Sequence, residues 1–507
     1  LSKKQIKNKT KEIHSFFNNQ LNESQKKTVK DCMSSSLFHL IHGPPGTGKT
    51  ITCVEVIEQA IENNQTVLAC ADSNSAVDNL VEKLVMQKRS VVRIGHPARV
   101  TPTLRKHSLD YLLEENETFQ KAQRVRTKAY DLKDKQDQFT FPSGRWRRGL
   151  SNTQIKKLAS KNKGSRGISA NKIKEMATSL EFQDKINNLF NEIDILEGQA
   201  VKELLEECDV VCTTNASAGS EVLKNHRFNL CVIDEATQAC EPSCLIPIVK
   251  ADKVVMAGDH KQLPPTILNE EAEKKGLSIS LFERLIALYG NRIKSLLTVQ
   301  YRMNQKIMGF SNQYFYNRNL KADESVKHHT IQGLLSKNVS DKNDEMNWRK
   351  VVDPSEPLVW IDTEKQDSFE RSRSGSTSKE NLGEAHVIQH IVSTLIQMGV
   401  KPNDIGLITP YYDQKALLNS MIDNDEMEID TVDGFQGREK EIILVSLTRS
   451  NPHGNIGFLK DLRRLNVSIT RARRKLIITG DSNTVCTDKT YNSFYEFVAE
   501  NGTVVNQ

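Results

Sequence analysis

A chain of 507 residues, 37% hydrophobic and 26% charged, is long enough for two or more domains with separate cores, and its net charge of +6 is too modest to argue for a partner by sign alone. No apolar stretch reaches the roughly twenty residues that cross a bilayer and no signal peptide is read, which excludes a membrane-spanning class. Nine cysteines without a Cys-x-x-Cys pair, several in apolar runs (Cys70, Cys212, Cys231), fit a reduced intracellular protein with buried thiols.

Residues 1–20 are rich in Lys and Asn and read as a helical lead-in or the remnant of a removed domain, with Leu1 as the start of a trimmed product. Leu21–Gln25 then opens a helix that Asn22 or Ser24 can cap. The amide of Gln25 suits a bidentate contact to an adenine edge, although an isolated Gln is usually a surface residue. Leu37–Ile41 is expected to be a buried strand, and Ile51–Ile61 has apolar residues at helical spacing.

Between them stands Gly43-Pro44-Pro45-Gly46-Thr47-Gly48-Lys49-Thr50, the spacing of a phosphate-binding loop. Gly46 and Gly48 let successive N–H groups turn toward a polyphosphate at a helix N-terminus, where the dipole adds partial positive charge. Lys49 is expected to reach the β- and γ-phosphates of ATP, and the Thr50 hydroxyl to hold Mg2+.

Thr66–Ala71 reads as the next strand, with Ser73 and Asn74 at its end as either phosphate contacts or a helix cap. From Ala98 to about Leu204 the pattern becomes polar, lysine-rich and intermittently helical, as expected for a largely helical insertion. Phe141–Glu175 holds ten cations (Arg145, Arg147, Arg148, Lys156, Lys157, Lys161, Lys163, Arg166, Lys172, Lys174) against Glu175 alone. That excess suits a nucleic-acid backbone, with Trp146 stacking on a base or a neighbouring arginine; a solvated helical face explains the charge equally well. Cys208–Thr214 resumes the strand pattern.

Phe228–Ile233 is a strand ending in Asp234-Glu235. Two acids downstream of a phosphate loop divide the work of nucleotide hydrolysis: Asp234 holds the magnesium shell, and Glu235 orients or deprotonates the attacking water. Val254–Gly258 is a strand leading into a rigid turn in which Gln262 can sense a γ-phosphate. A second domain is expected from about Asn291, since strand-like runs recur at Leu358–Ile361, Ile405–Ile408, Ile442–Leu447 and Leu476–Thr479 without a second phosphate loop. Its Arg302 and Arg471 suit arginine fingers offered to a nucleotide held by the first domain. Ser336–Pro357 and Thr363–Ser378 read as polar surface segments.

The set Gly43–Thr50, Asp234–Gln238, Gly258–Pro265, Gln300–Met303, Val432–Glu439 and Leu465–Arg474, in this order, resembles superfamily 1 helicases. Within them it is similar to the branch of the nonsense-mediated-decay helicase, senataxin and the immunoglobulin mu-binding helicase, with Gly276–Leu285 and His96–Arg99 most like the last. The resemblance implies an α/β fold of two RecA-like P-loop domains with parallel sheets: 1–97 and 205–290 as the first, 98–204 as its insertion, 291–507 as the second. It implies that Gln25 contacts adenine, Tyr301 stacks on it and Glu439 meets the ribose. Arg302 and Arg471 would touch the γ-phosphate, and Gln262 would couple its state to domain movement. Ser73, Asn74, Thr213, Thr214, Thr431 and Asp433 fall in motifs that line a single strand. The chain departs from the family at Asp72, where proline is usual, and the small β-barrel that ordinarily precedes the segment matched by Leu21–Gln25 is expected to be absent.

The expected function is an ATP-dependent, monomeric helicase or translocase on single-stranded DNA or RNA and on duplexes with 5′ overhangs, moving 5′ to 3′. The alternative is a nucleic-acid-stimulated ATPase that remodels nucleoprotein with little unwinding.

Overall fold

Each apolar run read as a strand folds as one in the computed structural model, which describes residues 13, 15–335, 346–365 and 368–507. In chain order the strands are β1 (Phe38–His42), β2 (Val67–Ala71), β3 (Val91–Ile94), β4 (Val210–Thr214), β5 (Phe228–Asp234), β6 (Ala251–Gly258) and β7 (Lys294–Leu296). A short parallel pair follows, β8 (Val299–Gln300) with β9 (Lys321–Ala322). The last six are β10 (Leu358–Asp362), β11 (Ile405–Thr409), β12 (Glu428–Thr431), β13 (Lys440–Ser446), β14 (Ala472–Gly480) and β15 (Thr503–Asn506).

The chain divides into two compact units, Leu1–Gln65 with Arg227–Gln507, and Thr66–His226. In the larger unit β5, β6, β1 and β7 pair in parallel in that order, with Leu40 opposite Met256 and Cys231 opposite Val254. A second parallel sheet runs β12-β11-β13-β14-β10-β15. Helical crossovers cover both faces of such sheets, so β10 and β11 are buried along their whole length. Trp360, Leu476 and Phe494 sit in the core on one side of the second sheet, and Ile388, Leu407 and Ile477 in the core on the other.

The smaller unit contains the parallel group β3-β4-β2 and the insertion. There the helices Glu117–Gln136 and Ala170–Glu207 run antiparallel, as the pairs Thr118–Glu203, Arg126–Glu197 and Gln136–Gln183 require. Ala122, Ala129 and Ile193 close the seam between them.

The sequence reading misses several elements for identifiable reasons. Arg93 interrupts β3, yet it is buried because Asp78 Oδ1 lies 3.1 Å from its Nε. The edge strands β7, β12 and β15 are short and partly polar. Within Ser336–Pro357, residues 336–345 lie outside the described ones, and Met346–Val352 is a helix that buries Val351. Residues 1–12 and 14 of the expected lead-in also lie outside. Residues 15–20 are not helical, and the N–H groups of Phe17 and Asn18 donate to the Glu55 carboxylate at 3.0 Å each. Thr363–Ser378 contains residues 366 and 367, likewise outside, and is otherwise without helix or extended strand. Among the described residues no helix is long and apolar enough to cross a membrane.

Candidate nucleotide site

The chain leaves β1 at His42 and turns through the glycine-rich loop into the helix Lys49–Glu62. Gly46 and Gly48 have φ of +72° and +78°; a Cβ on either would fall 2.6 Å from Arg302 Cβ or Gln25 Nε2 respectively. Both backbone conformation and space therefore demand glycine. Gly43 N–H donates to Gly258 O at 3.1 Å, and the buried Thr47 hydroxyl donates to Pro44 O at 2.7 Å, which fixes the loop.

The two acids close over it. Thr50 Oγ1 donates to Asp234 Oδ2 at 2.8 Å, and Lys49 Nζ lies 3.5 Å from Glu235 Oε1. Glu235 has φ of +50°, an uncommon conformation for a side-chain-bearing residue, held by its own N–H to Asp234 Oδ1 at 2.9 Å and by Gln238 Nε2 to Glu235 Oε2 at 2.9 Å. Burial, and then the neighbouring Glu235, push the Asp234 carboxyl up to about 6. A hydroxyl and a buried carboxylate in contact form a hard-oxygen donor pair that fits a magnesium ion.

The other half of the site comes from the turn after β8 and from the residues that lead into β14 of the second sheet. The buried Gln300 amide shapes the turn after β8: its Oε1 accepts from Arg302 N at 2.8 Å and Met303 N at 2.7 Å, and its Nε2 donates to Met303 O. Tyr301 N–H donates to Gly46 O at 2.8 Å, so this turn sits directly on the phosphate loop. Arg302 donates through Nε to Glu439 and through Nη1 to Thr470 O at 3.2 Å. Arg471 is buried and donates to Val467 O at 3.1 Å and to Gln262 Oε1 at 2.9 Å. Desolvation, helped by Arg302, brings its guanidinium down to about 9, still charged near neutral pH.

Behind Gln262 lies a network that sequence reasoning missed. Gln262 Nε2 and Tyr316 Oη both donate to Asp259 Oδ2, at 2.7 and 2.6 Å, and His42 Nε2 donates to Oδ1 at 3.0 Å. Burial alone would raise this carboxyl; the bond from His42, with Lys49 and the bond from Tyr316, holds it well below the usual range. Asn466 Nδ2 donates to Tyr316 Oη at 2.9 Å and to Lys261 O at 2.8 Å. Asp259 and Asn466 lie inside motifs already singled out, whereas nothing in the sequence pointed to Tyr316.

Gln25 is buried with both amide ends engaged: Oε1 accepts from Asn22 N at 3.0 Å, and Nε2 donates to Thr47 O at 3.1 Å. With Asn22 it forms the capping box of Glu23–Ser34. Tyr301 Oη accepts from Asn22 Nδ2 at 3.0 Å, and the residue is 36% exposed. Glu439 stands between arginines, accepting from Arg302 and lying 3.3 Å from Arg473 Nε.

Two models described as AAA domains match residues 20–270 and 277–483. Over 487 residues the chain is 46% identical to an uncharacterized ATP-dependent helicase of Methanocaldococcus jannaschii, covering 95% of this chain and 71% of that one. The chain belongs to the superfamily 1 helicases. It is also 37% identical over 495 residues to the DNA-binding protein SMUBP-2 of Mesocricetus auratus, and 36% over 499 residues to the DNA polymerase alpha-associated DNA helicase A of Schizosaccharomyces pombe. It covers 46% of the former and 68% of the latter, with 96% and 97% of its own length matched. Such helicases are enzymes that use ATP to act on nucleic acid.

The helicase's candidate strand contacts follow the C-terminal ends of parallel strands, where open α/β sheets present ligands. In the smaller unit Ser73 Oγ accepts from Ala76 N at 3.2 Å and caps its helix, and Asn74 Oδ1 accepts from Arg93 Nη2 at 2.9 Å. Thr213 is buried and donates to Ile94 O at 3.0 Å, and Thr214 donates to Ser217 Oγ at 3.0 Å. In the larger unit Thr431 ends β12 and accepts from Gly434 N, while Asp433 pairs with Arg464 at 3.3 Å.

The basic stretch is less free than its charge count suggested. Trp146 packs on the small core of Leu150, Ile155, Ile173 and Met176, with Arg145 and Lys172 over its ring at 5.4 and 5.5 Å. Arg147 donates to Pro142 O at 3.1 Å and to Asn152, while Arg148 and Arg166 donate to one another's carbonyls at 2.9 and 2.7 Å. Lys156 meets Asp184 at 2.6 Å and Lys172 meets Glu175 at 2.7 Å.

Proposed function

We propose that this helicase is a monomeric motor that moves 5′ to 3′ along single-stranded DNA or RNA and separates duplexes entered from a 5′ overhang. The observation that carries the reading is the bond from buried Arg471 to Gln262, which ties the second sheet to the turn after β6 beside Lys49 and Asp234. The assignment of 1–97 and 205–290 to a first RecA-like domain, 98–204 to its insertion and 291–507 to a second follows from the same motifs. Nine cysteines, none in a disulfide, support a reduced intracellular compartment.

In the proposed cycle Lys49 and the loop N–H groups hold the β- and γ-phosphates, and Glu235, released from Lys49, orients water toward the γ-phosphorus. Thr50 and Asp234 would hold magnesium, which when bound neutralises charge on the phosphate oxygens. Arg302 leaves Glu439 for the transferring phosphoryl group, Arg471 approaches from the same side, and Gln262 passes loss of that group through Asp259, Tyr316 and Asn466. Opening and closing of this seam then changes the grip on the strand. The test is phosphate release with and without single strands, beside unwinding of fluorescent DNA, RNA and hybrid duplexes bearing 5′ or 3′ overhangs. Stimulation by strands and unwinding from the 5′ overhang support the reading; turnover indifferent to every strand would remove it.

A further inference from the structure

A cavity of about 540 Å³ lies in the larger unit beside the helix Glu23–Ser34, and none of the residues assigned to nucleotide lines it. That helix contributes to its lining together with β1 and the segment Asn291–Thr298 that leads into β8. Its size is that of a small-molecule site. Three cations line it, Lys27, Arg292 and Lys294, against one carboxylate, Asp31. Asp31 already accepts from Ser295 Oγ at 2.7 Å, and Ser295 Oγ lies 2.9 Å from His39 Nε2. Burial keeps His39 neutral, lowering it to about 4, so the ring adds no charge.

Lys294 is half-buried and pairs with no carboxylate among the described residues; desolvation first, and then Lys261, favour loss of its proton. A partly desolvated ammonium without a counter-charge, in a lining of net positive charge, is a place that gains from an anion. Hydroxyl side chains complete much of the polar lining, among them Thr28, Ser35 and Thr298.

We propose that this cavity binds a small phosphate-bearing, hydroxylated anion, a free phosphomonoester, held by Lys27, Arg292 and Lys294. The site is connected to the nucleotide on both sides. The helix carrying Lys27 also carries Gln25, bonded to the phosphate loop at Thr47 O, while Thr298 N–H donates to Ser24 Oγ at 3.3 Å just before the turn that presents Arg302. An anion bridging Lys27 and Lys294 fixes this helix against that segment and so changes the KM for ATP. The effect on KM rests on the proposed function above; the binding itself does not.

The experiment is calorimetric titration of the full chain, with the nucleotide site saturated by magnesium and a non-hydrolysable ATP analogue, using glucose 6-phosphate and inorganic phosphate as probes. One saturable site is expected, about tenfold or more weaker in Lys294→Met and in Arg292→Gln, and several-fold tighter in Asp31→Asn, which removes the lone carboxylate. Unaltered melting temperatures show that the variants fold. No saturable binding of either probe, equal affinity across the variants, or displacement of glucose 6-phosphate by a short oligonucleotide would overturn the proposal, the last by assigning the cavity to a strand phosphate.

Discussion

The nucleotide site and the basic tip of the insertion are both dense in charge, yet they connect it differently. In the site the contacts link distant parts of the chain: Lys49 with Glu235, Arg302 with Glu439, Arg471 with Gln262. In the tip several charges are met within the same stretch, Arg147 by Pro142 O, Arg148 by Arg166 O and Lys172 by Glu175. Long-range pairing of catalytic residue types marks machinery assembled by the fold. Local pairing marks charge that first stabilises its own turn.

The sharpest way to break this contrast is Lys49→Ala, which is expected to abolish ATP hydrolysis in a phosphate-release assay; measurable turnover would show that the loop is not the phosphate cradle. Arg302→Ala comes next, with kcat lower by on the order of a thousandfold. If that variant keeps its rate, Glu439 is a structural partner for Arg302 and nothing more. A smaller effect follows from pH. Since Asp234 is held at about 6, above its ordinary value, a proton would compete below that pH with the magnesium proposed there. Apparent magnesium affinity, followed by calorimetry in the presence of ADP, is expected to fall about tenfold per pH unit below about 6 and to level off above it. A flat profile from pH 5 to 7 would detach Asp234 from the metal. The smallest effect belongs to the tip: replacing Arg145, Arg147 and Arg148 together is expected to flatten the salt dependence of strand binding by less than about 2, because each free phosphate contact contributes about 0.7. A loss of the full amount would mean that the local hydrogen bonds open for the strand.

The glycine-rich loop was legible from its rigid spacing, Asp234-Glu235 and Gln262 from their places after apolar strands, and Arg302 and Arg471 as candidates only through the second-domain pattern and the family resemblance. Strands buried on both faces, such as β10 and β11, were legible as continuous apolar runs. The support behind Gln262 was not. His42 meets Asp259 across 217 positions, Tyr316 meets Asp259 across 57, and Asn466 meets Tyr316 across 150, with no local pattern to join them. The partners of the basic stretch were hidden for a related reason, since the long helix returns Asp184 to Lys156 from 28 residues further on. Gln25 shows the converse, a motif residue whose amide also serves as a cap and a loop brace.

The central claim, one nucleotide gripped by the loop on one side and by Arg302 and Arg471 on the other, is tested most directly by Arg471→Ala. Its steady-state phosphate release is to be measured at saturating single strand, beside its affinity for a fluorescent ATP analogue. The account predicts kcat reduced by on the order of a thousandfold, with nucleotide affinity changed only a few-fold. A variant with near-normal kcat would contradict it, leaving the bond to Gln262 as packing between two sheets.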